Sequence, residues 1–170
     1  MTRGAVVALV LATAGTATPA AIRLAVPVVR QAPERCGPAA LVMVMRFQGA
    51  DSTALAEAER AYDPVLRGAL ITDLAAAARR AGFTAVVAAL PEDSLIALLQ
   101  RGLPPILLYQ RGRRPLTKGH YGVLVGWDPG RGRYALNDGS AATRAMERAE
   151  LMRRWHAAGS LALLLGPAVR

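Results

Sequence analysis

A chain of 170 residues with 53% hydrophobic and 19% charged residues has the composition of one globular domain, not of a disordered segment. Its formal charge of +9 comes from 21 basic residues, all arginine except Lys118, scattered along the chain; with aromatics at 5%, the concentrated basic stripe and stacking residues of a nucleic-acid binder are missing. A single cysteine excludes an internal disulfide, and one Cys with two His in no paired spacing argues against a zinc site.

Taken in chain order, residues 1–20 read as an export signal. "MTR" is a short basic start, "GAVVALVLATAG" an apolar run, and "TATPAA" offers small residues suited to cleavage. The run is too short and too interrupted for a membrane span, which needs about 20 apolar residues. Residues 21–170 then form one domain, expected in the periplasm or medium. "IRLAVPVV", residues 22–29, reads as a strand or extended segment. Gly37-Pro38 opens a helix through about Gln48, because proline costs nothing in a first turn. With no polar face, that helix is expected to be buried on all sides. Residues 51–62 and 71–82 read as helices, the second closed by Gly82. "FTAVVAAL" reads as a strand, "PEDSLIALLQRG" as a helix and "LPPILLYQ" as a strand. "RGRRPLTKG" is expected to be a basic loop. "HYGVLVGWD" and "RYALND" form a hairpin across "PGRG", "RAMERAELMRRWHAAG" an amphipathic helix and "SLALLLG" a last strand. Helices first and an antiparallel sheet later point to an α+β fold.

Cys36 falls at the start of the buried helix, where free N–H groups and the dipole favour a thiolate. His120 begins its strand, and alternation puts it on one face with Gly122, Leu124 and Gly126. Glycines on that face suggest close approach of another backbone, and the Cys36 helix is the candidate. If Trp127 pairs with Arg133, then Gly122 pairs with Asp138 and Asp138 shares the His120 face. A slip of one residue substitutes Asn137; either side chain can accept from the imidazole, and Asp138 is preferred. Asp128 is eight strand residues away, roughly 26 Å, and cannot serve. Gln31 lies five residues before Cys36, and its amide N–H can join the Cys36 N–H in facing a tetrahedral oxygen. His156 reads as a surface or packing residue. Arg111, Arg113, Arg114 and Lys118 precede the His strand and can rim a cleft that favours acidic peptides, or simply form a solvated loop.

"QAPERCGPAAL", "GHYGVLVGWD" and "LNDG" together resemble the papain-like peptidases of the bacteriocin-processing, double-glycine-leader type, most of all their stand-alone exported relatives. The resemblance spans residues 24–166. It implies a papain-like fold, with a buried N-terminal helix carrying the Cys packed on an antiparallel sheet carrying the His and Asp. It implies that Cys36 is nucleophile, His120 general base and acid, Asp138 the orienter of His120 and Gln31 the oxyanion donor. A monomeric cysteine peptidase follows, acting on a peptide or protein without a cofactor. The chain departs from the transporter-fused members in having no membrane spans and no Gly-x-x-x-x-Gly-Lys-Ser/Thr loop, so cleavage after a Gly-Gly leader is not implied. Two other functions fit the same residues: a non-catalytic peptide-binding module, and a thiol acyltransferase or amidase.

Overall fold

The computed structural model describes residues 20–113 and 115–168. Apart from Ala20, the expected export signal lies outside the described residues.

The longest helix, α1 (Cys36–Phe47), is built from the apolar run, and Leu41, Met43, Val44 and Met45 are fully buried. It ends where Gly49 takes a positive φ of 82°. Helix α2 (Ser52–Glu59) starts at Asp51, whose carboxylate accepts from the Ala54 N–H at 2.8 Å. Helix α3 (Ile71–Arg80) buries Leu74, Ala75, Ala77 and Ala78 and stops before Gly82, where φ is 89°. These three helices pack together. After them come β2 (Phe83–Ala89), α4 (Glu92–Gln100), β3 (Ile106–Arg113), β4 (Leu116–Asp128), β5 (Arg133–Asn137), β6 (Arg144–Glu147), α5 (Arg148–His156) and β7 (Leu161–Ala168). A two-residue strand, β1 (Ile22–Arg23), precedes α1. The fold is α+β, as the order of elements indicates.

The strands form one antiparallel sheet in the order β2-β7-β3-β4-β5-β6, with β1 added to the far end of β4. Its two faces carry two apolar clusters. One joins α1 and α3 to Ile106, Tyr121, Val123, Val125 and Leu163. The other joins α4 and α5 to Leu107, Tyr109, Leu124, Leu136 and Trp155. Among the described residues, no helix is long and apolar enough to cross a membrane.

Three sequence expectations need correction. Residues 111–113 and 116–119 are not a loop: they extend β3 and β4 as a ribbon, pairing Arg111 with Lys118 and Arg113 with Leu116. The last helix starts later than expected, because residues 144–147 add a strand to β5 and only then turn into α5. Residues 22–29, read as a strand or extended segment, hold a strand at Ile22–Arg23, which pairs with Trp127 and Gly126. The hairpin register also differs at its turn, where Trp127 pairs with Tyr134 and not Arg133. A bulge between Leu124 and Gly126 then absorbs one residue, so Val123 meets Asn137. Asp138 therefore still follows β5 at the level of Gly122.

Candidate active site

Cys36 is the first residue of α1, half-buried, with no acidic side chain in that first turn to compete for its free N–H groups. Close packing holds this helix tip. A Cβ at Gly37 would stand 3.1 Å from the Ala69 Cβ and 3.2 Å from Leu74 Cδ1, so the glycine lets the tip dock on the segment before α3. Upstream, Glu34 pairs with Arg67, and Arg35 bonds Glu59 at 2.6 Å while lying 4.1 Å over the Tyr62 ring. The Tyr121 hydroxyl donates to the Ala69 carbonyl at 3.0 Å, tying β4 to that same segment. Burial pushes the Tyr121 phenol well above its ordinary pKa, and negative charge at Cys36 adds to the effect.

His120 is only 5% exposed. Its Nε2 lies 3.0 Å from the backbone oxygen of Asp138. A carbonyl only accepts, so Nε2 carries the proton and Nδ1 of the neutral ring is the open acceptor. The ring stands edge-on to Tyr109, its cross-strand partner, with centroids 5.4 Å apart. Arg111 Nη1 is 3.4 Å from Nε2. Burial holds the imidazole pKa below its ordinary value; the Asp138 carbonyl pulls it up, and the nearby Arg111 charge pushes it down again. At neutral pH the ring is neutral and able to take a proton.

The Asp138 side chain is buried and turned elsewhere. Its carboxylate accepts from the Ser140 N–H at 3.2 Å and from Arg144 at 3.0 Å. Burial raises its pKa, but the Ser140 and Arg144 contacts outweigh that and hold it below the usual carboxylate value. Asp138 thus reaches His120 by its backbone, where a side-chain contact was expected. Asn137, fully buried, bonds elsewhere: it donates to the Val26 carbonyl at 3.1 Å and accepts from Thr143 at 2.7 Å. Asp128 caps its own turn by accepting from Arg131.

Gln31 is tied to the same corner. Its N–H donates to the Gly139 carbonyl at 3.1 Å, and its side chain lies on Gly139 where a Cβ would sit 2.1 Å from Oε1. That oxygen is buried, and among the described residues no donor reaches it.

The glycines on the His120 face do not admit α1, which packs on the opposite face against Tyr121, Val123 and Val125. Gly122 makes room for Tyr109, whose Cε1 would be 3.1 Å from a Cβ there, and Gly126 for the Ile22 carbonyl of β1 at 2.6 Å. A buried helix packs best on large apolar side chains, and those alternate onto the other face. Among the described residues, no strand pairs with β4 on its β5 side before Val123. Tyr121, packed in the same cluster as Cys36, and His120 are neighbours in β4 and alternate onto its two faces. Among the described residues no hydrogen bond yet joins Cys36 Sγ to the ring, and no three His, Cys, Asp or Glu gather as metal ligands. Tyr109 and Arg144 were not foreseen at this corner, because only strand register brings them there; Arg111 was expected at the rim of a cleft, and it lies against the ring.

A cysteine at a buried helix tip and a neutral histidine tied through Nε2 invite comparison with known proteins. The sequence profile described as the Peptidase_C39 like family matches residues 23–163. The chain belongs to this family. Its fold is shared by the peptidase domain of Streptococcus ComA, a transporter of a quorum-sensing pathway, at 22% identity and a TM-score of 0.66 over 84% of this chain and 98% of that one. A double glycine motif protease from an AMS/PCAT transporter, solved with its leader peptide, aligns at 22% identity and 0.66 over 86% and 94%. A Bacillus anthracis protein described as C39-like aligns at 15% identity and 0.70 over 89% and 100%. No protein of curated function matches the chain. Family and fold together support a cysteine peptidase for this C39-like chain.

Proposed function

We propose that this C39-like chain is an exported cysteine peptidase working through Cys36, His120, Asp138 and Gln31. The observation that carries the reading is the neutral His120 ring, bonded through Nε2 to the Asp138 carbonyl with Nδ1 left as acceptor, one residue along β4 from Tyr121, which packs in the same cluster as Cys36. Nδ1 takes the thiol proton over a contact that in an empty site is commonly long. The thiolate attacks a peptide carbonyl, and the oxygen that becomes negative faces the Cys36 N–H and the Gln31 amide N–H. As the C–N bond breaks, the imidazolium gives its proton to the leaving amine. Water then attacks the thioester and gives a proton to His120, the C–S bond breaks to release the acid, and the imidazolium returns its proton to the Cys36 sulfur. The substrate is a peptide or protein, by analogy with the leader peptide bound to the transporter protease. The enzyme is a monomer that leaves the cytoplasm on the signal of residues 1–20; N-terminal sequencing of the exported protein should begin at Ala21.

The test is the rate of Cys36 alkylation against pH in wild type and His120→Ala. A working pair keeps wild-type alkylation fast well below the ordinary thiol pKa of about 8.5, and His120→Ala loses that plateau. Ordinary thiol behaviour in both proteins, or turnover by Cys36→Ala, would falsify the mechanism.

A further inference from the structure

Tyr109, Arg111 and Arg113 alternate onto one face of β3, and Lys118 of β4 stands directly opposite Arg111. Like charges in register across antiparallel strands repel each other. Arg144 from β6 and Arg154 from α5 close on the same space, so four guanidinium-bearing side chains, Tyr109 and Glu150 line a pocket of about 300 Å³. Two of these arginines are already neutralised, Arg144 by Asp138 at 3.0 Å and Arg154 by Glu150 at 2.8 Å. Arg111 and Arg113 have no acidic partner within 4.0 Å among the described residues. Arg111 points instead at His120 Nε2, a nitrogen already donating to the Asp138 carbonyl. A nucleic-acid surface is not the match, because the charge is concave and local.

We propose that this pocket is a binding site for an oxyanion, a carboxylate- or phosphate-bearing group with two or more negative charges. Guanidinium forks bind such oxygens in pairs of parallel hydrogen bonds, and the unpaired Arg111 and Arg113 supply them here. Tyr109, its phenol kept protonated by burial, adds a neutral donor to the wall. The same chemistry is offered by adjacent acidic side chains of a peptide and by a free multivalent anion. The site lies behind His120, apart from Cys36, and holds whether or not Cys36 is a nucleophile.

The experiment is calorimetric titration of the full chain with citrate at ionic strength fixed by KCl, comparing wild type with Arg113→Gln, with Arg111→Gln/Arg113→Gln, and with Arg101→Gln, a residue that follows α4 and does not line the pocket. Saturable one-to-one binding is expected in wild type and Arg101→Gln, weakened severalfold in the single variant and tenfold or more in the double variant. Arg113 is exposed at a strand end, so its replacement leaves folding intact. A peptide carrying paired glutamates and its glutamine counterpart separate the two sources. Tighter binding of the glutamate peptide, displaced by citrate, assigns the anion to the peptide; equal binding of both peptides assigns it to a free anion. If neither citrate nor the glutamate peptide distinguishes the double variant from Arg101→Gln, the site does not exist. Cys36→Ala binds like wild type, so failure of the peptidase reading leaves this result untouched.

Discussion

The backbone and side chain of Asp138 do separate work. Its carbonyl holds the His120 ring, while its carboxylate is spent on Arg144 and the Ser140 N–H. Asp138→Asn therefore keeps the acceptor that sets the imidazole tautomer and loses only the charge on the Arg144 contact. Turnover is expected to stay within about tenfold of wild type, against the roughly 10⁴-fold loss seen when a triad histidine is put in the wrong tautomer. Stability should fall by about 1–2 kcal/mol, the scale of a hydrogen bond to a charged group whose partner, Arg144, is half-exposed and can return to water. Steady-state kinetics and urea denaturation measure the two effects separately. A thousandfold loss of kcat would mean that the carboxylate itself holds the ring during catalysis.

Element packing turns on the glycines of β4. At Gly126 a Cβ would meet the Ile22 carbonyl at 2.6 Å, a backbone atom that cannot swing away. Gly126→Ala should therefore displace β1, which pairs with β4 at two residues only. Hydrogen exchange should show Ile22 to Leu24 losing protection while α1, packed on the other face, keeps it. Gly122→Ala is a milder case, because the atom in the way is the edge of the Tyr109 ring at 3.1 Å. The ring has to yield by a few tenths of an ångström, at a cost of about 1–3 kcal/mol typical of overpacking. Since Tyr109 stands against His120, that shift reaches the imidazole, so KM and kcat should respond as well as stability. Unchanged kinetics in Gly122→Ala would show that Tyr109 does not position the ring.

Across the whole molecule the buried titrating groups set the response to acid. His120 has a folded pKa depressed below its unfolded value of about 6.5, so the unfolded chain takes up a proton first as pH falls. Stability is unaffected by this group above that pH and declines as pH drops from about 6.5 to the lower folded pKa. Asp138 is also depressed, and its contribution persists above an ordinary aspartate pKa and disappears only as pH falls through the folded value below it. Chemical denaturation between pH 7 and pH 5 should show a slope in wild type that His120→Gln removes. A slope that survives the substitution would assign the acid sensitivity to another group.

Sequence reading located the principal parts because each has a local cause. An apolar run without a polar face makes a buried helix, a Gly-Pro after Cys36 lets it begin there, and period-two alternation with a Pro-Gly turn makes the β4–β5 hairpin. The quoted stretches around Cys36, His120 and Asp138 carried the likeness to the peptidase family, and the family match covers the same region. What lay out of reach depends on long-range register. A bulge near Val125 is invisible in composition, yet it decides that Asn137 clasps Val26 and Thr143 while Asp138 reaches His120. Parity alone put the His120 glycines against α1; the face that α1 covers was decided by where the large apolar side chains lie. The pairing of Arg111 with Lys118, and the arrival of Arg144 and Arg154 beside them, needed the ribbon, β6 and α5 to be in place. Local pattern fixes which residues turn inward, but which inward residues meet is settled only when the strands choose their partners.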